Sequence, residues 1–84
     1  MAEKVHEFAN KTAGSDGTAY VVRAFAEKRG HVWIGWLEFR PAKGEGPTLR
    51  TAEETSQPNK EAVEYWATGL EPVYLEGALQ RARK

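Results

Sequence analysis

The clearest pattern in the chain is a pair of runs rich in strand-forming residues between Thr18 and Arg40, separated by the polar Lys28-Arg29-Gly30. Thr18–Glu27 puts Tyr20, Val22, Ala24 and Ala26 on one side, and Val21, Arg23 and Phe25 on the other. In His31–Arg40, Trp33, Gly35, Leu37 and Phe39 share one parity, and Val32, Ile34, Trp36 and Glu38 share the other. Successive strand residues point to opposite faces, so the second strand carries a tryptophan on each face. Two runs of similar length with a short glycine-containing turn between them predict an antiparallel hairpin.

Pro41–Pro47 reads as a loop, with two prolines, two glycines and no apolar side chain larger than alanine. Thr48–Thr51 then predicts a short third strand antiparallel to the second. Ala52–Gln57 reads as a polar connection, with Ser56 or Gln57 as cap and Pro58 in the first turn of a helix. In that helix Val63, Trp66, Ala67 and Leu70 form a buried stripe at i, i+3, i+4 and i+7, widened by Ala62 and Tyr65. Gly69 is expected to end it in a left-handed conformation. A second helix is expected from Pro72, with Leu75, Ala78, Leu79 and Ala82 as its stripe. Gly77 opposes that helix by about 1 kcal/mol, and Val73-Tyr74-Leu75 also fits a fourth strand. Residues 1–17 read as a flexible tail, although Val5, Phe8 and Ala9 have helical spacing. The expected architecture is one α+β domain over 18–84: a three-stranded antiparallel sheet packed by one helix, with a second, C-terminal helix.

Composition narrows the function classes. At 84 residues the chain makes one domain, which buries only about 60–65% of its unfolded surface. It has no cysteine, hence no disulfide and no thiolate metal site, and this fits a reducing compartment. The first residues hold no long apolar run, so no signal peptide is expected. No segment approaches the roughly 20 apolar residues of a membrane helix. A cytoplasmic protein with no membrane partner is the expectation. Twelve basic and twelve acidic residues give zero formal net charge, so no global field steers the chain to nucleic acid.

Candidate chemistry is sparse. His6 falls in the tail and His31 beside the hairpin turn, neither with metal-ligand spacing. Ser56 is accounted for as a cap and Glu53-Glu54 as a solvated pair. Gly44-Glu45-Gly46 does not open a helix, as a phosphate-binding loop does. No catalytic residue, metal or cofactor is expected. The candidate site is a sheet face drawn from Tyr20, Arg23, Phe25, Trp33, Trp36 and Arg40. A one-residue slip exchanges the two faces, so the uncovered face is expected to show either Trp36 with Tyr20 and Val22, or Trp33 with Phe25, and the pattern leaves open which tryptophan meets the helix. The expected role is an interaction module that associates with itself or with another protein through the uncovered face, because exposed apolar patches mark such interfaces. Nucleic acid is the alternative partner, since aromatic residues interleaved with arginines on a small sheet stack bases.

The runs Tyr20-Val21-Val22-Arg23, Gly35-Trp36-Leu37-Glu38-Phe39 and Glu61-Ala62-Val63, in the order hairpin, strand, helix, resemble the HicB-type antitoxin fold. That family is similar in its βββα core and small-residue helix start. The resemblance implies a dimer and a role in neutralising an mRNA-cleaving toxin. The chain departs from the family in two places. Pro41–Pro47 stands where the family has a Pro-Gly-Cys turn, and no separate DNA-binding segment follows the helix unless 72–84 serve. The run from Glu54 to Ala67 also resembles small uncharacterised bacterial proteins, which implies no activity.

Overall fold

The computed structural model describes residues 1–44 and 46–83; Glu45, in the expected 41–47 loop, and Lys84 lie outside the described residues. The elements run β1 (Glu3–Glu7), β2 (Thr12–Ala13), β3 (Ala19–Arg29), β4 (Val32–Pro41), β5 (Leu49–Arg50), β6 (Thr55–Gln57), α1 (Lys60–Thr68) and α2 (Pro72–Ala82). The α+β class matches the expectation, but the sheet has six strands instead of three.

The hairpin β3–β4 is its centre. Ten residue pairs run in unbroken register from Tyr20↔Pro41 to Arg29↔Val32. The turn is Gly30-His31, and Gly30 takes a φ of 60°, the positive value that the first residue of a tight hairpin turn requires. On the far side of β4, β5 and β6 act as one interrupted edge strand. Thr51 bridges the interruption: its N–H donates to the Leu37 carbonyl at 2.9 Å, and its hydroxyl accepts from the Leu37 N–H at 3.0 Å.

Residues 1–17 are not a flexible tail. β1 and β2 both pair antiparallel with β3 and cover its otherwise free edge. Val5 has no partner of its own, because the register shifts between Lys4 and His6. This is a bulge, and it disguises the strand in the sequence. Val5 and Phe8 are half-buried against the core, which supplies the anchors a disordered segment lacks.

The helices differ from expectation in their ends. Asn59, not Ser56 or Gln57, caps α1: its side chain accepts from the Ala62 N–H at 2.8 Å. Thr55–Gln57, expected as polar connection, is β6 and pairs with Trp33–Gly35. Gly69 ends α1 with a φ of −92°, not in the left-handed region. Tyr65, expected to widen the buried stripe, is 82% exposed; at 100° per residue it lies across the helix from Val63 and Ala67. Residues 73–75 are helical, which closes the fourth-strand alternative.

Both helices cover the same sheet face. Val22, Ala24, Leu37 and Phe39 from the hairpin pack with Ala67 of α1 and Leu75, Ala78 and Leu79 of α2. Gly35 permits the approach of α1, since a Cβ there would lie 2.6 Å from Cγ1 of Val63. Among the described residues no helix is long and apolar enough to cross a membrane.

Candidate interaction face on the sheet

The register of the hairpin sorts the six candidate residues. Arg23, Phe25, Trp36 and Arg40 share the outer face, away from the helices: Arg23 lies opposite Glu38, Phe25 opposite Trp36, and Arg40 opposite Val21. Tyr20 and Trp33 have the other parity. Tyr20 is a core residue, 7% exposed, with its ring edge-to-face with Phe39 at 6.5 Å. Trp33 is half-buried on the helix side, between Lys28 and Gln57 in register. The tryptophan turned away from the helices is therefore Trp36, and it shares its face with Phe25 instead of Tyr20 and Val22, because the two-residue turn sets Phe25 opposite Trp36.

Trp36 is nonetheless only 2% exposed. Phe25 stacks beside it with ring centroids 6.1 Å apart and planes 12° from parallel. The Arg50 guanidinium lies over its ring, 4.1 Å from the centroid, where the ring quadrupole attracts a cation. The indole N–H donates to Glu38 Oε2 at 3.4 Å. Ile34, two residues back along β4 on the same face and opposite Glu27, is also buried. Beside it Arg29 binds Glu53 at 2.6 Å and Glu27 at 3.8 Å. The outer face is thus a small apolar cluster closed by charged side chains, whose alkyl stems cover apolar surface while their heads stay in water.

One row of this face is made wholly of charges. Glu7 of β1, Arg23 of β3, Glu38 of β4 and Arg50 of β5 are successive register partners, so the row reads acid, base, acid, base across the sheet. Glu7 Oε1 lies 3.3 Å from Arg23 Nε and 3.1 Å from Lys4 Nζ. The Lys4 ammonium first, and Arg23 after it, hold the Glu7 carboxyl below the usual carboxylate range. Glu7 carried no signal in the sequence, because its strand is disguised by the bulge at Val5. Arg50 reaches Trp36 only through the pairing of β5 with Glu38.

Two other places hold polar groups. Glu54 leaves only 9% of its side chain exposed. It accepts from the Tyr74 hydroxyl and from Arg81 at 2.6 Å. Burial, then the bond to Glu54, pushes the Tyr74 phenol above its ordinary value. This cluster ties the β5–β6 connection to α2. At the end of the sheet, an open cleft of about 690 Å³ is lined by Lys11, Asp16, Thr18, Pro41 and Lys43 among others. Asp16 is engaged there, accepting from the Thr18 N–H at 3.0 Å and lying 3.4 Å from Arg83. Among the described residues no group of three or more His, Cys, Asp or Glu side chains is placed to hold a metal ion. No family model, curated protein or solved structure matches the chain.

Proposed function

We propose that the chain is a non-enzymatic interaction module that works through the outer face of its sheet, with a second copy of itself as partner. The observation that carries this reading is the one-sided packing of the helices. An antiparallel sheet can leave a polar face to water, but a face that carries apolar residues is normally buried against another layer, and here α1 and α2 both lie on the face of Val22, Leu37 and Phe39. The opposite face holds Phe25, Ile34 and Trp36 under side chains alone. The cysteine-free composition fits work in a reducing compartment such as the cytoplasm. Light scattering over a dilution series tests the reading. A mass of twice 9.4 kDa at high micromolar concentration is expected, and a monomer there overturns it.

A second reading is binding of single-stranded nucleic acid through the same face. It is favoured by Arg23, Arg40 and Arg50 sharing the outer face with Phe25 and Trp36. A base stacking on Trp36 must first displace Arg50, which already occupies the ring. Titration of an unspecific oligonucleotide at low salt decides it: binding that weakens as salt rises supports it, and no binding removes it.

A further inference from the structure

We infer that two copies of the chain stack their outer sheet faces about a twofold axis parallel to β3 and β4, with the charged row of each copy lying reversed against that of the other. This rests on the reading that the outer face is where the chain associates with itself; it adds how. The row Glu7–Arg23–Glu38–Arg50 alternates in sign over four strands. A row of this kind is complementary to its own reversal. A twofold axis along the strands, between β3 and β4, sets Glu7 against the second copy's Arg50 and Arg23 against the second copy's Glu38. By symmetry each contact occurs twice.

The alternative twofold, along the row, sets every charge against its own copy and produces like-charge contacts throughout. Such contacts are strongly unfavourable in an interface, so the pattern excludes that arrangement and selects the other. The neighbouring rows agree with the selected axis. It brings Phe25 over the second copy's Trp36, and Val21 over the second copy's Arg40. Packed sheets lie about 10 Å apart with strands within roughly 30° of each other. Glutamate and arginine side chains from both sides span that gap. The row is partly exposed: the side chain of Glu7 keeps 47% of its accessible surface and that of Arg23 keeps 29%. Both are placed to meet a second layer.

Charge reversal in separate chains tests this. Glu7→Lys and Arg50→Glu change two exposed side chains; Arg23→Glu and Glu38→Arg form a second pair from the middle of the row. Far-ultraviolet circular dichroism confirms folding, and sedimentation velocity reads association. The expected wild-type dimer weakens as salt rises past about 0.15 M. Each single variant dissociates at least about tenfold more readily. An equimolar mixture of the two members of a pair forms a heterodimer, because each reversed charge then meets an opposite one. If wild type dimerises but single variants dimerise equally well, or mixtures stay monomeric, the arrangement is wrong while self-association stands. If wild type is monomeric at high micromolar concentration, both fall.

Discussion

The guanidinium of Arg50 lies 4.1 Å from the centroid of the Trp36 ring and shields the largest apolar side chain on the outer sheet face. A residue from a two-residue edge strand thus closes a tryptophan on the central strand, which binds that edge to the face it borders. Replacing Arg50 with alanine removes both the cation over the ring and the stem that covers it. The expected loss is about 1 kcal/mol of stability, read by denaturant unfolding. In a background with Trp33 and Trp66 changed to phenylalanine, Trp36 fluorescence should shift to the red and acrylamide should quench it more strongly. Unchanged quenching would show that other groups keep Trp36 dry.

Gly35 is the point where α1 reaches β4. An added Cβ would lie 2.6 Å from Val63 Cγ1 and 2.9 Å from Thr55 Cγ2, inside the distance that carbon atoms tolerate. Gly35→Ala is expected to cost about 1–3 kcal/mol through overpacking. Combining it with Val63→Ala, which opens space on the helix, should cost less than the sum of the two single changes. Additive losses would place the strain elsewhere.

The legible parts of this fold are those in which one residue pattern extends over a full element. Trp33 to Phe39 is a run of strand-forming residues with a single charge, and Val63 with Ala67, and Leu75 with Leu79, keep helical spacing, so the hairpin and both helices could be read from residues alone. The edges could not. Glu3-Lys4-Val5-His6-Glu7 holds one aliphatic residue, and the bulge falls on it; Thr55-Ser56-Gln57 has no apolar residue at all. Both are strands only because a long neighbour offers them backbone partners. The candidate face suffered in the same way. Parity within each strand grouped Trp36 with Tyr20 and Val22, or Trp33 with Phe25, and the hairpin register reverses both: Trp36 lies with Phe25, and Trp33 with Tyr20 and Val22. The shielding of Trp36 by Arg50 depends on which residue of β5 pairs with Glu38, and a register between separate strands is not written in either one.

The Glu54–Tyr74–Arg81 cluster should act as a clasp between the β5–β6 connection and α2. Tyr74→Phe leaves a largely buried carboxylate with one donor fewer, at a cost of about 1–3 kcal/mol. The raised phenol gives a second readout. Neutral Tyr74 is favoured in the folded state. Its contribution is therefore fully present below the ordinary tyrosine value and is lost as pH rises through the raised one. Wild type should lose stability over that alkaline interval by more than Tyr74→Phe does, as measured by urea unfolding at stepped pH.

Gly77 sits within α2, where it costs conformational entropy without serving a turn. A Cβ there would meet only Arg81 Nη1, at 3.7 Å, an ordinary contact. Gly77→Ala should therefore stabilise the chain by about 0.5–1 kcal/mol, seen as a higher thermal midpoint. A loss instead would mean that α2 needs the bare backbone at this position for something packed against it.

Acid should loosen the β1 edge through Glu7. Its carboxyl is held below the usual range by Lys4 and then by Arg23, and Arg23 lies on β3, so the ionised form links the two strands. A carboxyl depressed in the folded state contributes above its unfolded value, and that contribution is lost as pH falls through the folded value. Asp16, at the β2–β3 turn, is also depressed, mainly by the Thr18 backbone N–H, and its contribution is lost on acidification as well, so global unfolding curves mix the two. A local probe separates them. The Phe8 N–H donates to the Val22 carbonyl at 3.1 Å, immediately beyond the Glu7–Arg23 pair. Its exchange protection, corrected for the intrinsic pH dependence of exchange, should fall with acid in the wild type. In Glu7→Gln the protection should start lower at neutral pH and change less on acidification. Because Glu7 is exposed, salt should blunt the wild-type response as well. Equal pH dependence of Phe8 protection in the two chains would show that β1 is held by its backbone ladder and by Val5 and Phe8, with no contribution from the ion pair.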